Sequence, residues 1–329
     1  KQIYQSRVFY KAAGNPKISI IVPSKDNYTC IKTCFDSIVE KTTYPNYEVI
    51  LIDNGSTEEN KAKYQQICDK YGFVYAYHPM EFNFSRMCNL GAKKATGEYY
   101  LFLNDDTEVL VTDWLERMVG QAALGHAGAI GAKLYYPEEK RLQHIGIVNR
   151  AEGPSHYYCG GREILTDYKM QMDCNYIAVT GACLMLSKDK FEEIGGFEES
   201  LPIAYNDVDL CFKLVEKGYY NVVRNDVQLY HYESVSRGND IADKAKRKRL
   251  EQERALLYTR HPLFDKIAPF SSENMELITN MEGLGSLNSK HATQLTIKKS
   301  QLQPIDTEMI SSFMNISVFE HMKQKEKIQ

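Results

Sequence analysis

The first part of the chain alternates short apolar runs with longer amphipathic ones. Lys17 to Val22, Tyr47 to Ile52, Phe73 to Tyr77 and Tyr99 to Leu103 are rich in β-branched and aromatic residues, which predicts four strands. Between them, Tyr28 to Glu40, Glu58 to Tyr71 and Ser85 to Lys94 repeat apolar residues at helical spacing. Strands that are apolar on both faces and alternate with helices predict the α/β class. The sheet is then mainly parallel, covered on both sides and joined by right-handed crossovers. From Thr107 the alternation fades. A helix is predicted over Trp114 to Ala123, then an irregular stretch from Tyr135 to Tyr176, a strand over Ala182 to Leu186, and helices near Lys188 to Ile194 and Asp207 to Lys217. A basic run, Lys244 to Arg249, opens a helical pattern to about Arg260. Beyond Pro262, Ser, Asn and Gly gather around Glu282 to Ser289, before a last helical pattern over Asp306 to Lys325. This tail reads as a helical appendage, packed on the core or used in assembly, including assembly of a homo-oligomer.

Composition narrows the function. With 329 residues and 43% hydrophobic content the chain can bury a sizeable core, and 43 acidic against 40 basic residues give no reason to expect a nucleic-acid partner. No apolar run approaches the roughly 18 residues needed to cross a bilayer, so a soluble protein is expected. Eight cysteines, at 30, 34, 68, 88, 159, 174, 183 and 211, include no C-x-x-C pair and read as buried free thiols, with neither a zinc site nor a disulfide framework. Together with the lack of a signal peptide they predict a cytoplasmic location. The chain opens on Lys1, which suits a removed tag or a domain cut from a longer polypeptide.

In an open α/β sheet, ligands bind outside the carboxyl ends of the strands. Those ends are acidic here: Pro23-Ser24-Lys25-Asp26-Asn27, Asp53-Asn54-Gly55-Ser56 and Asn104-Asp105-Asp106-Thr107. Asp and Asn also start turns and cap helices. Ser56 with Glu59 and Asp113 with Glu116 read as capping boxes, which leaves Asp53, Asp105 and Asp106 for other work. Adjacent carboxylates repel unless a cation sits with them, and hard oxygen ligands suit Mg²⁺ or Mn²⁺. Such an ion, held by one or two carboxylates, completes its shell with water and phosphate oxygens, which implies a phosphorylated ligand. Neither a P-loop nor a G-x-G-x-x-G follows the first strand, so a diphosphate would be held chiefly through metal.

Five ordered pieces then resemble the family 2 glycosyltransferases of the GT-A fold: Ser19 to Ser24, Ile52 to Ser56, Leu103 to Asp106, Gly195 to Glu199 and Asn206 to Leu210. The resemblance runs from about Lys17 to Gly238 and is closest to bacterial enzymes of surface polysaccharide or glycoprotein glycan synthesis. It implies a nucleotide-binding half over 17–106 and an acceptor-binding half over 107–238, between a leader over 1–16 and the tail over 239–329. The donor is implied to be a nucleoside-diphosphate sugar, UDP-linked or else dTDP-linked, and the acceptor a hydroxyl of a glycan, glycoprotein or lipid-linked molecule. Pro23, Ser24 and Asp26 would border the base, Asp53 would hydrogen-bond it, Asp105 would face the ribose and Asp106 would bind Mn²⁺ or Mg²⁺. Asn104 departs from the first acid of the family's D-x-D element. Cys88 stands where many relatives carry arginine, with Arg86 as a substitute.

Inversion at the sugar needs a base for the acceptor hydroxyl, and the resemblance assigns that role to Asp207, with Asn206 replacing the usual Glu. Read on its own, Asn206 is an N-cap and Asp207 an acid in a helix's first turn. His231 matches a segment that closes on the diphosphate and supplies a metal ligand; Arg237 would neutralise phosphate and Gly238 would act as a hinge. Thr180, Gly181, Gly195, Gly196 and Phe197 match the acceptor-side wall, and Tyr135 to Tyr176, with His156, Tyr157 and Tyr158, would shape acceptor specificity. The basic run reads as a solvated helix face, with peripheral attraction to anionic lipid as a second use. The leading expectation is an inverting, metal-dependent, non-processive glycosyltransferase. The alternative is a glycan-binding or assembly module that has kept the fold, prompted by Asn104, Asn206 and Cys88. A sugar nucleotidyltransferase would need a Gly-rich basic loop after the first strand, which Pro23 to Asn27 is not.

Overall fold

A computed structural model describes residues 7–150, 153–164, 168–232 and 244–265. The predicted alternation is present: β1 (Ile18–Ser24), α1 (Tyr28–Lys41), β2 (Tyr47–Asp53), α2 (Glu58–Tyr71), β3 (Val74–Tyr77), α3 (Phe84–Lys94) and β4 (Tyr99–Leu103). β1 is buried along its whole length, as a strand covered on both faces must be. On α1, Ile31, Cys34, Phe35 and Ile38 recur at helical spacing and face the same core as Val22 and Leu51. β4, β1, β2 and β3 are parallel neighbours in that order, and Ser24 lies beside Asp53 in the register.

Thereafter come β5 (Thr107–Val109), α4 (Trp114–Ala122), β6 (Ala127–Tyr135), β7 (Leu142–His144), β8 (Ile147–Arg150), β9 (Gly153–His156), α5 (Tyr168–Gln171), β10 (Cys174–Tyr176), β11 (Cys183–Ser187), α6 (Lys188–Glu193), α7 (Asn206–Glu216), β12 (Tyr220–His231) and α8 (Lys244–Arg260). β11 joins β4 to β6 by antiparallel pairing, and β12 runs parallel to β6, so the sheet order is β10-β12-β6-β11-β4-β1-β2-β3. β7 adds to β6 and β5 to β12, while β8 and β9 form a separate hairpin. The stretch expected to be irregular therefore holds three strands and a helical turn ahead of β10.

Over its first part the tail packs on the core, one of the two uses expected for it. Residues 244–265 are built into the core: Leu257 and Phe264 are buried, and the Phe264 ring stacks on Phe212 of α7 with centroids 3.9 Å apart. Arg247 and Lys248, from the basic run, are exposed as expected. The patterns at 282–289 and 306–325 lie outside the described residues. All eight cysteines are free; five are buried, Cys30 and Cys174 are partly so, and Cys159 is exposed, contrary to expectation. No described helix is long and apolar enough to cross a membrane.

Candidate active site

The loops after β1 and β2 are laced together by their acids. Asp53 is fully buried: Oδ1 accepts the Ser56 N–H and hydroxyl at 2.9 and 2.7 Å, and Oδ2 accepts the Tyr75 hydroxyl at 2.6 Å. It thereby closes the 53–56 turn, and the Ser56 hydroxyl accepts the Asp26 N–H at 2.9 Å. The cap of α2 differs from the predicted box. Thr57, not Ser56, is the N-cap residue, and Asp26 accepts the Thr57 N–H and the Asn60 amide at 2.8 and 3.0 Å. Those bonds, Asn60's foremost, hold the Asp26 carboxyl below its ordinary value. The second box also fails to close: Asp113 is the N-cap of α4, but its carboxylate pairs with Arg117 at 2.8 Å.

Where β4 ends, Asn104, Asp105 and Asp106 follow one another. The Ser24 hydroxyl donates to Asp105 at 2.6 Å, so the buried Tyr64 hydroxyl, 2.7 Å away, donates to Ser24. Desolvation, and then the Asp106 carboxylate, push Asp105 up to about 7 against the opposing pull of Ser24, Asn27 and His231. Asp106 is buried, with Oδ1 3.1 Å from His231 Nε2. His231 arrives from the end of β12, where it lies beside Thr107 of β5, and the Asp106 carbonyl accepts the Tyr232 N–H at 2.9 Å. The two residues expected to share a metal are thus brought together by strand pairing.

Among the described residues, no group of three His, Cys, Asp or Glu side chains could hold a metal ion. Asp106 and His231 make a pair. Neighbouring donors on an octahedral cation with bonds of about 2.1 Å lie about 3 Å apart, which is the separation seen here. Two protein ligands, completed by water and diphosphate oxygens, suit Mg²⁺ or Mn²⁺, so the residues present fit such an ion.

Asp207 lines a pocket with His231, though Asp106 is not part of that lining. Tyr205, with a left-handed φ of 57°, is the N-cap residue of α7; Asn206, expected as the cap, is the first helical residue. Its side-chain oxygen accepts the Asp207 N–H at 2.8 Å. Asp207 Oδ1 accepts the Val208 N–H and Oδ2 the Gly181 N–H, each at 2.8 Å, so both oxygens are oriented and each keeps a lone pair. Gly181 enters β11 beside Asn104, whose N–H donates to the Ala182 carbonyl at 3.0 Å. The resulting pocket, of about 210 Å³, is lined by Asn104, His156, Gly181, Tyr205, Asp207 and His231 among others. His156 Nδ1 is 3.2 Å from the Gln143 carbonyl and 3.2 Å from Nδ1 of His144, which burial holds well below its ordinary pKa.

Other expected residues sit elsewhere. Gly195 and Gly196, with φ of 75° and 71°, turn the chain out of α6, their N–H groups returning to the Glu192 and Phe191 carbonyls. The Phe197 ring is buried against Phe84, Phe102 and Phe191. None of the three lines the pocket, because helix termination and core packing occupy them. Cys88 is buried in the core, and Arg86 pairs with Glu199 at 2.9 Å rather than facing the pocket. Arg237 and Gly238 lie outside the described residues. Tyr205, which lines the pocket, carries no motif in the sequence, and Gln143 falls in the stretch expected to shape acceptor specificity without being singled out there.

The architecture is that of the GT-A glycosyltransferases. The profile described as Glycosyl transferase family 2 matches residues 19–195, and the chain belongs to that family. It is 34% identical over 299 residues to an uncharacterized protein of Sinorhizobium fredii, y4gI, covering 89% of this chain and 33% of that protein. It is 38% identical over 247 residues to the O-antigen biosynthesis protein RfbC of Myxococcus xanthus, covering 73% of this chain and 19% of that protein. The chain therefore spans a third or less of the length of these two relatives. Among solved structures it is similar in fold to a mannosyltransferase of Pyrobaculum calidifontis in complex with GDP-Man and Mn²⁺ (TM-score 0.57, 18% identity, 80% of this chain and 68% of that one). GalNAc-T7 with UDP, GalNAc and Mn²⁺ is similar to the same degree (TM-score 0.57, 13% identity, 79% and 53%).

Proposed function

We propose that the chain is an inverting glycosyltransferase domain. It moves a sugar from a nucleoside-diphosphate sugar, UDP-linked in the first instance and dTDP-linked in the second, to a hydroxyl of a glycan, glycoprotein or lipid-linked acceptor. The observation that carries this reading is that Asp207, Asn104 and His231 line one pocket, which supports a proton acceptor beside a place for a diphosphate. The name of the Myxococcus relative supports a bacterial surface polysaccharide as the product, and eight free thiols support a cytoplasmic location. Similar folds bound to GDP-Man or UDP with Mn²⁺ support the donor class.

The nucleoside lies over the ends of β1, β2 and β4, bordered by Pro23, Ser24 and Asp26, with Asp53 acting through the turn it closes and Asp105 turned to the ribose. Asp106 and His231 hold Mn²⁺ or Mg²⁺, which when bound offsets charge on the departing diphosphate. The acceptor hydroxyl enters beside His156 and Gly181. Asp207 takes its proton as the oxygen attacks the anomeric carbon opposite the diphosphate. The new carbon–oxygen bond forms as the old one breaks, and the electron pair leaves with the diphosphate. Asn206, in place of the usual Glu, still holds Asp207 by accepting the Asp207 N–H on its side-chain oxygen, which weakens the case for a fold kept only for glycan binding.

Replacing Asp207 with Asn tests the assignment. The variant is expected to fold and to bind donor with near-normal Kd while its transfer rate falls by about 10² or more. Near-normal turnover refutes the role of Asp207.

A further inference from the structure

We propose that Gln143 is a positioning residue that fixes the hydrogen of His231 on Nδ1 and so presents a bare Nε2 beside Asp106. This role rests on the reading of Asp106 and His231 as the cation's ligands. Gln143 is 1% exposed and sits in the middle of β7, whose neighbour β6 also carries β12 and His231. Its amide is oriented by an independent bond: Nε2 donates to the backbone carbonyl of His231 at 3.3 Å, and a carbonyl can only accept. Oε1 therefore faces the ring, 2.7 Å from Nδ1. An amide oxygen cannot donate, so Nδ1 must. A neutral ring with its hydrogen on Nε2 would set the Nδ1 lone pair against those of Oε1 at that distance.

A second contact is compatible with the same tautomer on the opposite side of the ring, although Gln143 alone has an amide oriented by an independent bond. Asn104 Nδ2, a donor only, is 3.2 Å from Nε2 and needs a lone pair there. In that tautomer the lone pair faces Asp106 Oδ1 at 3.1 Å, a repulsion that a cation shared by the two atoms would relieve. Metal-binding histidines are commonly oriented in this way, by a hydrogen bond from the ring nitrogen that does not touch the ion. Here the partner is a neutral amide, which fixes the tautomer without adding charge to a site that already carries Asp105 and Asp106. Asn104, standing where a further acid would add to the repulsion from Asp106, can donate to that lone pair instead.

Long-range ¹H–¹⁵N spectra of the metal-free protein at mildly alkaline pH, with the His231 signal assigned by its loss in His231→Ala, read the tautomer directly. The expected spectrum shows His231 protonated at Nδ1 and bare at Nε2; a hydrogen on Nε2 overturns the proposal without any variant at position 143. Gln143→Met, which keeps the volume and removes the acceptor, is expected to lose the fixed tautomer. It should also weaken Mn²⁺ binding in the presence of UDP by roughly 10- to 100-fold in a spin-resonance titration. Unchanged tautomer and affinity in a folded Gln143→Met overturn the role. Wild-type protein that bound Mn²⁺ no better than Asp106→Ala would overturn the metal reading itself, and this role with it.

Discussion

At the exit of β4 two adjacent carboxylates divide their work. Asp105 answers to Ser24 and, through it, to Tyr64, whereas Asp106 turns to His231. If Asp106 holds a cation, its loss must matter only when a cation is present. Asp106→Ala is expected to weaken UDP binding by about tenfold or more in Mn²⁺ and much less in EDTA, where removing a negative charge beside a diphosphate relieves repulsion. Calorimetric titration under both conditions checks this, and equal losses would detach Asp106 from the metal. Asp105 and Asp106 were legible as acids at a predicted strand end, whereas His231 and Asp207 were legible only through the family resemblance. Roles that rest on geometry were not. Asp53 shows its use only once Ser56 and Tyr75 are seen to fill its oxygens, and Phe197, expected at the acceptor, is claimed by an aromatic cluster.

The elements that escaped prediction are those whose polarity hides their burial. β12 contains Asn221, Arg224, Asn225 and Asp226, all buried, and no apolar pattern survives that composition. Pairing within the fold accounts for them: Arg224 forks onto Asp226 at 3.0 and 2.8 Å, and Asn221 bonds to Ala129, Ile177 and Cys211. β6, rich in Ala and Gly, gives no propensity signal either. A similar network ties α8 to the helix that bears Asp207. Arg260 and His261 reach Asp209 at 2.8 and 3.0 Å, Lys213 joins at 2.8 Å, Glu216 takes His261 at 2.7 Å and Glu198 takes Arg260 at 2.8 Å. Burial raises Asp209, but these partners outweigh it and bring the carboxyl down to about 2; burial lowers His261, and the two carboxylates raise it above its ordinary value. The Asp209 contribution is therefore complete above about pH 4 and fades as the pH falls toward about 2. The His261 contribution is complete below about pH 6.5 and is lost as the pH rises through its raised native value. Thermal melts across pH are expected to show stability declining on the alkaline side, with His261→Gln flattening that limb. An unchanged limb would remove His261 from the clamp.

Across the described part of the molecule, the sheet places Ser24, Asp53, Asp106, Gly181 and His231 at one edge. β1, β2 and β4 deliver Ser24, Asp53 and Asp106 from the parallel half, and β12 and β11 deliver His231 and Gly181 from the mixed half, to which α7 adds Asp207. The parallel half was legible from alternation alone. In the mixed half β11 and the helices were legible from their apolar pattern, but β6, β7 and β12 were not, because they are polar, small or short. The central claim is that a divalent cation beside Asp106 and His231 seats a sugar nucleotide within reach of Asp207. Crystals grown with Mn²⁺ and an unreactive UDP-sugar analogue, read by manganese anomalous scattering, test it most directly. One manganese peak is expected, bonded to Asp106 Oδ1, His231 Nε2 and the diphosphate, with the Asp207 carboxylate on the sugar's opposite side. A peak elsewhere, or a diphosphate bound without reference to Asp106 and His231, would contradict it.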